Sequence, residues 1–491
     1  MREEIQARSS AFRRMYMRMK KPNYYLFEEG KKCYLYDVNI NSIVSISREL
    51  YLFLSEWKDN IDREIPESLR ETIQFLTGHG YLSEKRIINS VSHFEAEVLQ
   101  DLLNGNMSSI ILQVTQNCNL RCKYCVYSGS YINRTHTKAR MSVDTAKKAI
   151  DFLASHSSNS SDISIGFYGG EPLLEISLIK EIVTYARGIF GGKKINFNIT
   201  TNATLLNLDI ADFLIENGFN ITVSLDGPKE IHNKNRVFAN SNEGSFDTVM
   251  KNIEAIKERF PEAIERIAFN AVIDMSQDVG CSNDFFMSYD TVKNIGVNGT
   301  FVNQVNRKDA IQYDYKNYAD ANYEVFKVFL YACKKEMFNV YKPTVFGSEI
   351  SSIKQTMCDR YVGKEGFEDR ISPGGQCLPG IQRFFVTVDG KFFPCERVDE
   401  TSDDLCIGNL EEGIAIDKAL SILNIAQLTT EQCKNCWCYK MCYQCVAKAQ
   451  KDGKIDASAR LKWCTQTKEN VENTIRNYIV LKKYGCEFEE V

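Results

Sequence analysis

The period of the apolar positions changes along this chain. In "NYYLFEEGKKCYLYDVNINSIVSIS" they alternate around a Glu-Gly turn, which predicts strands. In "RELYLFLSEW" and "ESLRETIQFLTGHGYL" they recur every three to four positions, which predicts helices, and Gly78 and Gly80 suit a helix end. Strands followed by helices over residues 1–95 predict a small winged-helix-like unit. From about Ser109 apolar runs alternate with amphipathic stretches. The strand candidates are "SIILQVTQN", "ISIGFYGG", "INFNITTN", "NITVSLDG", "IAFNAVID" and "GTFVNQV". Between them, "SVDTAKKAIDFLASH", "SLIKEIVTYARGIF", "IADFLIENG" and "SFDTVMKNIEAIKERF" read as helices, with Ser142 and Ser245 as candidate N-caps. This alternation predicts an α/β fold with a parallel sheet and outer helices. Six repeats over residues 109–310 predict a partial (β/α)6 TIM barrel. A helical bridge follows over 311–357, and residues 358–491 are loop-rich and cysteine-rich, closing on the helix "KENVENTIRNYIVLKKYG".

Composition sharpens this picture in three ways. A length of 491 residues fits several domains, and 44% hydrophobic residues supply sizeable cores. A formal charge of −4 gives no reason to expect nucleic acid. No window is apolar for long enough to span a bilayer, and the basic N-terminal stretch "MREEIQARSSAFRRMYMRMKKP" lacks the apolar core of a secretory leader. A cytoplasmic location is expected. In a large chain of that kind, 17 cysteines are better suited to ligation or catalysis than to a disulfide scaffold.

Three of these, Cys118, Cys122 and Cys125, follow the first barrel strand at spacing C-x3-C-x2-C. Structural zinc wants four closed ligands, whereas three thiolates suit a four-iron cluster with one iron open. The loops after the second and fourth strands carry "GGEP" and "SLDGP". In βα barrels such loops hold the chemistry.

"CNLRCKYC", followed by "YGGEP" and "SLDGP", resembles the signature of the radical S-adenosylmethionine (SAM) superfamily, whose fold is a partial TIM barrel. The resemblance implies that Cys118, Cys122 and Cys125 hold the catalytic [4Fe-4S] cluster and that SAM binds its fourth iron. It implies an aromatic border to the adenine at Tyr124, and a backbone approach to the methionine amine at Gly169 and Gly170, with Glu171 accepting from that amine. Ser224 and Asp226 would meet ribose or methionine and Arg236 the methionine carboxylate, while Asn202 is a polar wall or a cap.

Cys377-x12-Gly390-x4-Cys395, Cys433-x2-Cys436-x5-Cys442-x2-Cys445 and Cys464 resemble the SPASM extension of radical SAM enzymes that modify peptides and proteins. That extension normally holds two auxiliary [4Fe-4S] clusters, making three in all. By analogy Cys377, Cys395 and Cys445 share one cluster, and Cys433, Cys436, Cys442 and Cys464 the other. The spacing before Cys445 is one residue shorter than usual. A fourth ligand for the first cluster is Cys358, Cys406 or Cys438, or that iron stays open to a substrate thiol. Zinc is the alternative for the CxxC pairs. Cys33, Cys281, Cys333 and Cys486 fall outside the motifs and read as ordinary thiols. Glu396 follows Cys395 where sulfatase-maturing relatives place an aspartate base, which makes it a candidate catalytic residue.

The N-terminal unit resembles the recognition element fused to maturases of ribosomally made peptides. The layout is similar to that of ranthipeptide and sactipeptide maturases, which join a cysteine sulfur to a carbon of another residue. The expected partners are a cysteine-rich precursor peptide with a leader and an electron donor such as flavodoxin or ferredoxin. The alternatives are a formylglycine-forming sulfatase maturase, a carbon–carbon crosslinking maturase, or a non-catalytic iron–sulfur or zinc scaffold that binds peptides.

Overall fold

The structure, a computed structural model, describes residues 22–57, 64–85, 92–334, 345–359, 372–373 and 376–488. The basic N-terminal stretch up to residue 21 and bridge residues 335–344 lie outside the described residues.

The N-terminal strands form an antiparallel meander of β1 (Tyr24–Glu29), β2 (Lys32–Asp37) and β3 (Ser42–Ile46). Gly30, at φ +60°, makes the first turn, as the Glu-Gly pair suggested. The two predicted helices follow as α1 (Arg48–Trp57) and α2 (Glu67–Gly78). Leu35, Leu50, Phe53, Leu54, Trp57, Ile73 and Leu76 close a small core of their own. The opposite face of the meander contributes Phe27, Tyr36 and Val38 to the main core. There the ring of Tyr25 stacks on Trp437 at 4.0 Å, and Arg476 meets Glu29 at 3.0 Å.

The six predicted barrel strands are all present and parallel, side by side in chain order. They are β4 (Ser109–Thr115), β5 (Asp162–Gly169), β6 (Lys194–Thr201), β7 (Asn220–Ser224), β8 (Ile267–Ile273) and β9 (Gly296–Phe301). The last begins three residues before its predicted start. The outer helices α4 (Val143–Ser155), α5 (Ile176–Ile189), α6 (Leu208–Glu216) and α8 (Phe246–Arg259) match the amphipathic stretches. The periodicity missed α3 (Leu99–Gly105), α7 (Lys229–Asn235) and α9 (Val279–Ser288), two of them short and one only weakly amphipathic. Ser142 caps α4 by accepting the Thr145 N–H at 3.0 Å. Ser245 stands at the N-cap position of α8 but makes no cap bond. Its hydroxyl is spent on His232 Nε2, at 2.9 Å, and on the carbonyl of Arg236.

The bridge contributes α10 (Tyr315–Cys333) and α11 (Ser348–Met357). One feature of the C-terminal region had no counterpart in the sequence reading. β10 (Phe385–Val386) pairs in parallel with β4, Phe385 opposite Ile111. β11 (Lys391–Phe393), β12 (Gly408–Asn409) and β13 (Gly413–Ile414) then extend the sheet antiparallel to ten strands. The long closing helix, here α12 (Cys464–Lys483), starts on a motif cysteine.

Candidate active site

The loop after β4 carries Cys118, Cys122 and Cys125 and is clamped rather than free. Arg121 N–H donates to the Val237 carbonyl at 2.8 Å, Lys123 N–H to Asn235 at 3.1 Å, and Ala239 N–H to Asn119 at 2.9 Å. From the other side the loop after β5 presses on it. Gly170 N–H donates to the Thr115 carbonyl and Glu171 N–H to the Asn117 carbonyl, each at 2.9 Å. A Cβ at Gly169 would stand 2.1 Å from Thr115 O, and one at Gly170 2.0 Å from Asn117 O. Gly169 also holds φ +141°. The glycines therefore serve a close approach to the cysteine loop itself, a task the sequence reading had not given them.

Burial pushes the Cys118 and Cys122 thiols up to about 12, and Cys125 upward as well. Iron binds the thiolate, so loading a cluster here must release protons. Glu171 is wholly buried. Its carboxylate accepts from Thr201 Oγ1 at 2.6 Å, Asn202 N–H at 2.7 Å and Leu173 N–H at 3.0 Å. A carboxylate has about four acceptor sites, so one remains for a further donor such as an amine. Burial raises its proton affinity, and these three donors oppose the rise. Asn202 joins Asn119 at 2.9 Å, receives Thr204 Oγ1 at 2.6 Å, and stands 3.8 Å from Cys118 Sγ. Ser224 closes β7, at the same end of the sheet.

Tyr124, Asp226 and Arg236 form one buried group. Both carboxylate oxygens of Asp226 accept from Arg236, Nε at 3.1 Å and Nη2 at 3.2 Å. Tyr124 donates its hydroxyl to Asp226, and the Arg236 guanidinium lies 5.4 Å from the Tyr124 ring centre. The side-on edge of Arg236 is therefore occupied by Asp226.

The sequence reading missed the residues that floor the barrel mouth. Gln113, fully buried within β4, donates to Tyr127 Oη and to Glu400, each at 2.8 Å. Tyr127 also donates to Glu400 at 3.0 Å. A glutamine inside the apolar run "SIILQV" was the available signal. Arg134 reaches the Glu396 carbonyl at 3.2 Å. Glu396 itself is gripped by Arg383 and lies 3.7 Å from Arg397 Nε, while its Oε2 is buried without a hydrogen-bond partner among the described residues.

The C-terminal cysteines fall into two neighbourhoods. Cys377 and Cys395 each feel the charge of Cys445 and share Arg383 and Glu396 as neighbours. Cys433, Cys436, Cys442 and Cys464 line one cavity of about 220 Å³, together with the buried Arg460. Thr429 Oγ1 lies 3.3 Å from Cys433 Sγ, and Gln444 Nε2 3.7 Å from Cys464 Sγ, contacts of the kind that tune a cluster's potential. Cys438 lies beside this second group, fully buried. Cys406 Sγ is 3.3 Å from the Gly408 carbonyl, and Cys358 is exposed after α11. Among the described residues no three His, Cys, Asp or Glu side chains converge on a single-ion site. A volume ringed by four thiols fits a multi-atom cluster. Among the described residues no helix is long and apolar enough to cross a membrane.

Comparison with known proteins agrees with this geometry. Residues 112–273 match the radical SAM superfamily. A cysteine-type anaerobic sulfatase-maturating enzyme of Clostridium novyi (strain NT) is 27% identical over 365 residues, 69% of this chain and 87% of that protein. The radical SAM cyclopropyl synthase TigE of Paramaledivibacter caminithermalis is 27% identical over 246 residues, 46% of this chain and 48% of that protein. Among solved structures, native anSMEcpe with bound AdoMet aligns with a TM-score of 0.56 at 21% identity, covering 77% of this chain and 99% of that one. Residues 112–273 are thus a radical SAM domain, which implies SAM and a [4Fe-4S] cluster, and over most of its length the chain is an enzyme related to the anaerobic sulfatase-maturating enzymes.

Proposed function

We propose that the chain is a maturase of a cysteine-rich peptide that forms cysteine sulfur-to-carbon thioether crosslinks. The observation that carries this reading is the docking of the N-terminal strand-and-helix unit on the auxiliary-cysteine segment. Trp437, between Cys436 and Cys438, is stacked on Tyr25 at 4.0 Å. Tyr36 meets the same indole edge-on, and Lys440 Nζ donates to the Asn39 carbonyl at 2.5 Å. A three-stranded sheet flanked by helices offers β3 as an edge on which an extended leader can add a strand. The leader would thus be held beside the cysteine-rich module while the core peptide enters the barrel. Residues 1–95 are the peptide-binding unit in this reading, 109–310 the radical core, 311–357 the bridge and 358–491 the SPASM module.

The three-thiol group of Cys118, Cys122 and Cys125 would hold the SAM-binding cluster. Cys433, Cys436, Cys442 and Cys464 would hold one auxiliary cluster. Cys377, Cys395 and Cys445 would hold another, with its fourth iron open to a substrate thiol. When bound, the first cluster supplies the electron that cleaves SAM to methionine and a 5′-deoxyadenosyl radical. In the net reaction one hydrogen atom passes from a peptide carbon to that radical. The cysteine loses its proton and sulfur bonds to carbon, and the one electron left over would be taken up by the cluster that Cys377, Cys395 and Cys445 would hold. The chain's own work is placement. Glu171 offers its remaining acceptor site to the SAM amine, Tyr124 and Asn202 wall the pocket, and the buried mouth keeps water from the radical. Flavodoxin or ferredoxin would supply the electron.

Formylglycine formation is the second reading, favoured by the similarity to sulfatase maturases. Against it, the ion pair with Arg383 leaves Glu396 poorly placed as a general base. Anaerobic co-expression with the short cysteine-rich reading frame nearest in the genome separates these readings by accurate mass. Loss of two hydrogens per linkage, with cysteines protected from alkylation, is expected. Two lost hydrogens with every thiol still alkylated means carbon–carbon crosslinking. An unchanged peptide from an enzyme that cleaves SAM points to sulfatases.

A further inference from the structure

The barrel mouth holds a guanidinium with an empty fork. Arg134 lies nine residues beyond Cys125 and is 7% exposed. Its Nη1 is spent on the Glu396 carbonyl at 3.2 Å, and the guanidinium lies 5.6 Å from the Tyr127 ring centre. Nε and Nη2 are buried and have no hydrogen-bond partner among the described residues. These two N–H groups project from one edge of the planar group, with the spacing of a carboxylate's oxygens. Arg236 shows that edge filled, by Asp226 at 3.1 and 3.2 Å. The carboxylates near Arg134 leave this fork unfilled, although Glu400 is close enough to feel its charge. Glu396 is bound by Arg383, and Glu400 accepts from Tyr127 and Gln113. Leaving two buried charged donors unpaired is costly, so such an edge calls for an acceptor supplied from outside. Position narrows the choice. Arg134 is close enough to affect both Cys125 and Tyr168, and it is tied through Glu396 to the segment after Cys395. It therefore stands between the radical-forming loop and the auxiliary cysteines, where a peptide's reacting residues must pass. His136, with its ring 5.7 Å from Tyr127, also keeps a buried Nε2 without a partner among the described residues.

We propose that Arg134 selects for an acidic residue in the core peptide by binding its side-chain carboxylate through Nε and Nη2. This rests on the peptide-maturase reading above. The other source of a carboxylate in this site is the methionine end of SAM, and the test separates the two. Reconstituted, SAM-loaded enzyme is titrated with N-acetyl-aspartic acid methylamide and with N-acetyl-asparagine methylamide. SAM affinity is measured in parallel for wild type, R134Q and R134K. Wild type should bind the aspartyl compound at least about tenfold more tightly than its amide. R134Q should abolish that preference and R134K keep part of it, the charge without the fork, while SAM affinity stays within about twofold. No saturable aspartyl binding by wild type, or a preference that survives in R134Q, overturns the proposal. So does a tenfold loss of SAM affinity with the preference intact, which would assign the fork to SAM. If R134Q does not fold, R134K decides: a preference smaller than that of wild type supports the proposal, and one as large as wild type overturns it. Binding is read without turnover, so an unmodified peptide in co-expression counts against the maturase reading alone.

Discussion

At the residue scale, the site motifs act on one another before they act on any ligand. Gly170 is the sharpest case, because a methyl there would overlap Asn117 O and come 3.1 Å from Cys118 N. Backbone cannot move aside as a flexible side chain can, so G170A should shift the cysteine loop. Iron bound after anaerobic reconstitution should fall by about one cluster, ~4 iron atoms per chain, while the clusters proposed for the C-terminal cysteines still load. An unchanged iron content would show that the loop tolerates the shift. The Asp226–Arg236 pair calls for a different test. Both side chains are almost fully buried, at 1% and 7% exposure. Removing one charge strands the other, so D226N should destabilise the protein by about 3–5 kcal/mol. Denaturant unfolding of the cluster-free chain checks this, and a loss below about 1 kcal/mol would mean that Arg236 finds another partner.

At the element scale, five of the six strands and their main helices could be read from the sequence because each has an apolar face of regular period, whereas β9 has no fully buried residue and its start was read three residues late. The strand extension β10–β13 could not. Its members are two or three residues long, too short to express a period, and they exist because β4 offers an open edge. The site was legible where glycines and cysteines mark it. Arg134, Tyr127 and Glu400 were not legible, because a buried polar residue in a loop looks like a solvated one until the fold surrounds it. Asp37 shows the same blindness in the N-terminal unit. It is fully buried and accepts the N–H groups of Leu82, Asn39 and Ile40, at 2.6, 2.9 and 3.3 Å. Burial still raises it to about 6, with the Lys440 ammonium opposing. Between about pH 4 and 6 the folded unit therefore binds more protons than the unfolded one. Its stability should fall as pH rises through that window, by at most ~3 kcal/mol. Hydrogen exchange of β1 and β2 across pH 4–7, corrected for intrinsic rates, should show protection highest at the acid end. A rise in protection with pH would contradict the assignment to Asp37.

At the scale of the whole molecule, the ten-stranded sheet makes the cysteine-rich region part of the barrel's architecture. β10 lies along β4, the strand whose end launches the cluster loop, and Phe152 of α4 packs on Phe384 and Phe392 at 5.7 and 4.8 Å. The two ends of the chain should therefore differ in what their removal costs. A chain ending at Met357 would bare the β4 edge and the Phe152 face together, and exposed edges beside apolar surface drive association. That truncation should be insoluble or elute as large oligomers in size-exclusion chromatography. A chain lacking residues 1–95 loses a unit that closes most of its own core and leaves the ten strands paired. It uncovers Trp437 and the part of the main core met by Phe27, Tyr36 and Val38, but no sheet edge, so it should stay soluble, load iron and cleave SAM without peptide. Its predicted loss is the capture of leader-bearing peptide. A soluble, monomeric chain ending at Met357 would mean that β4 can serve as a free edge, and the coupling of barrel and cysteine module through the sheet would have to be abandoned.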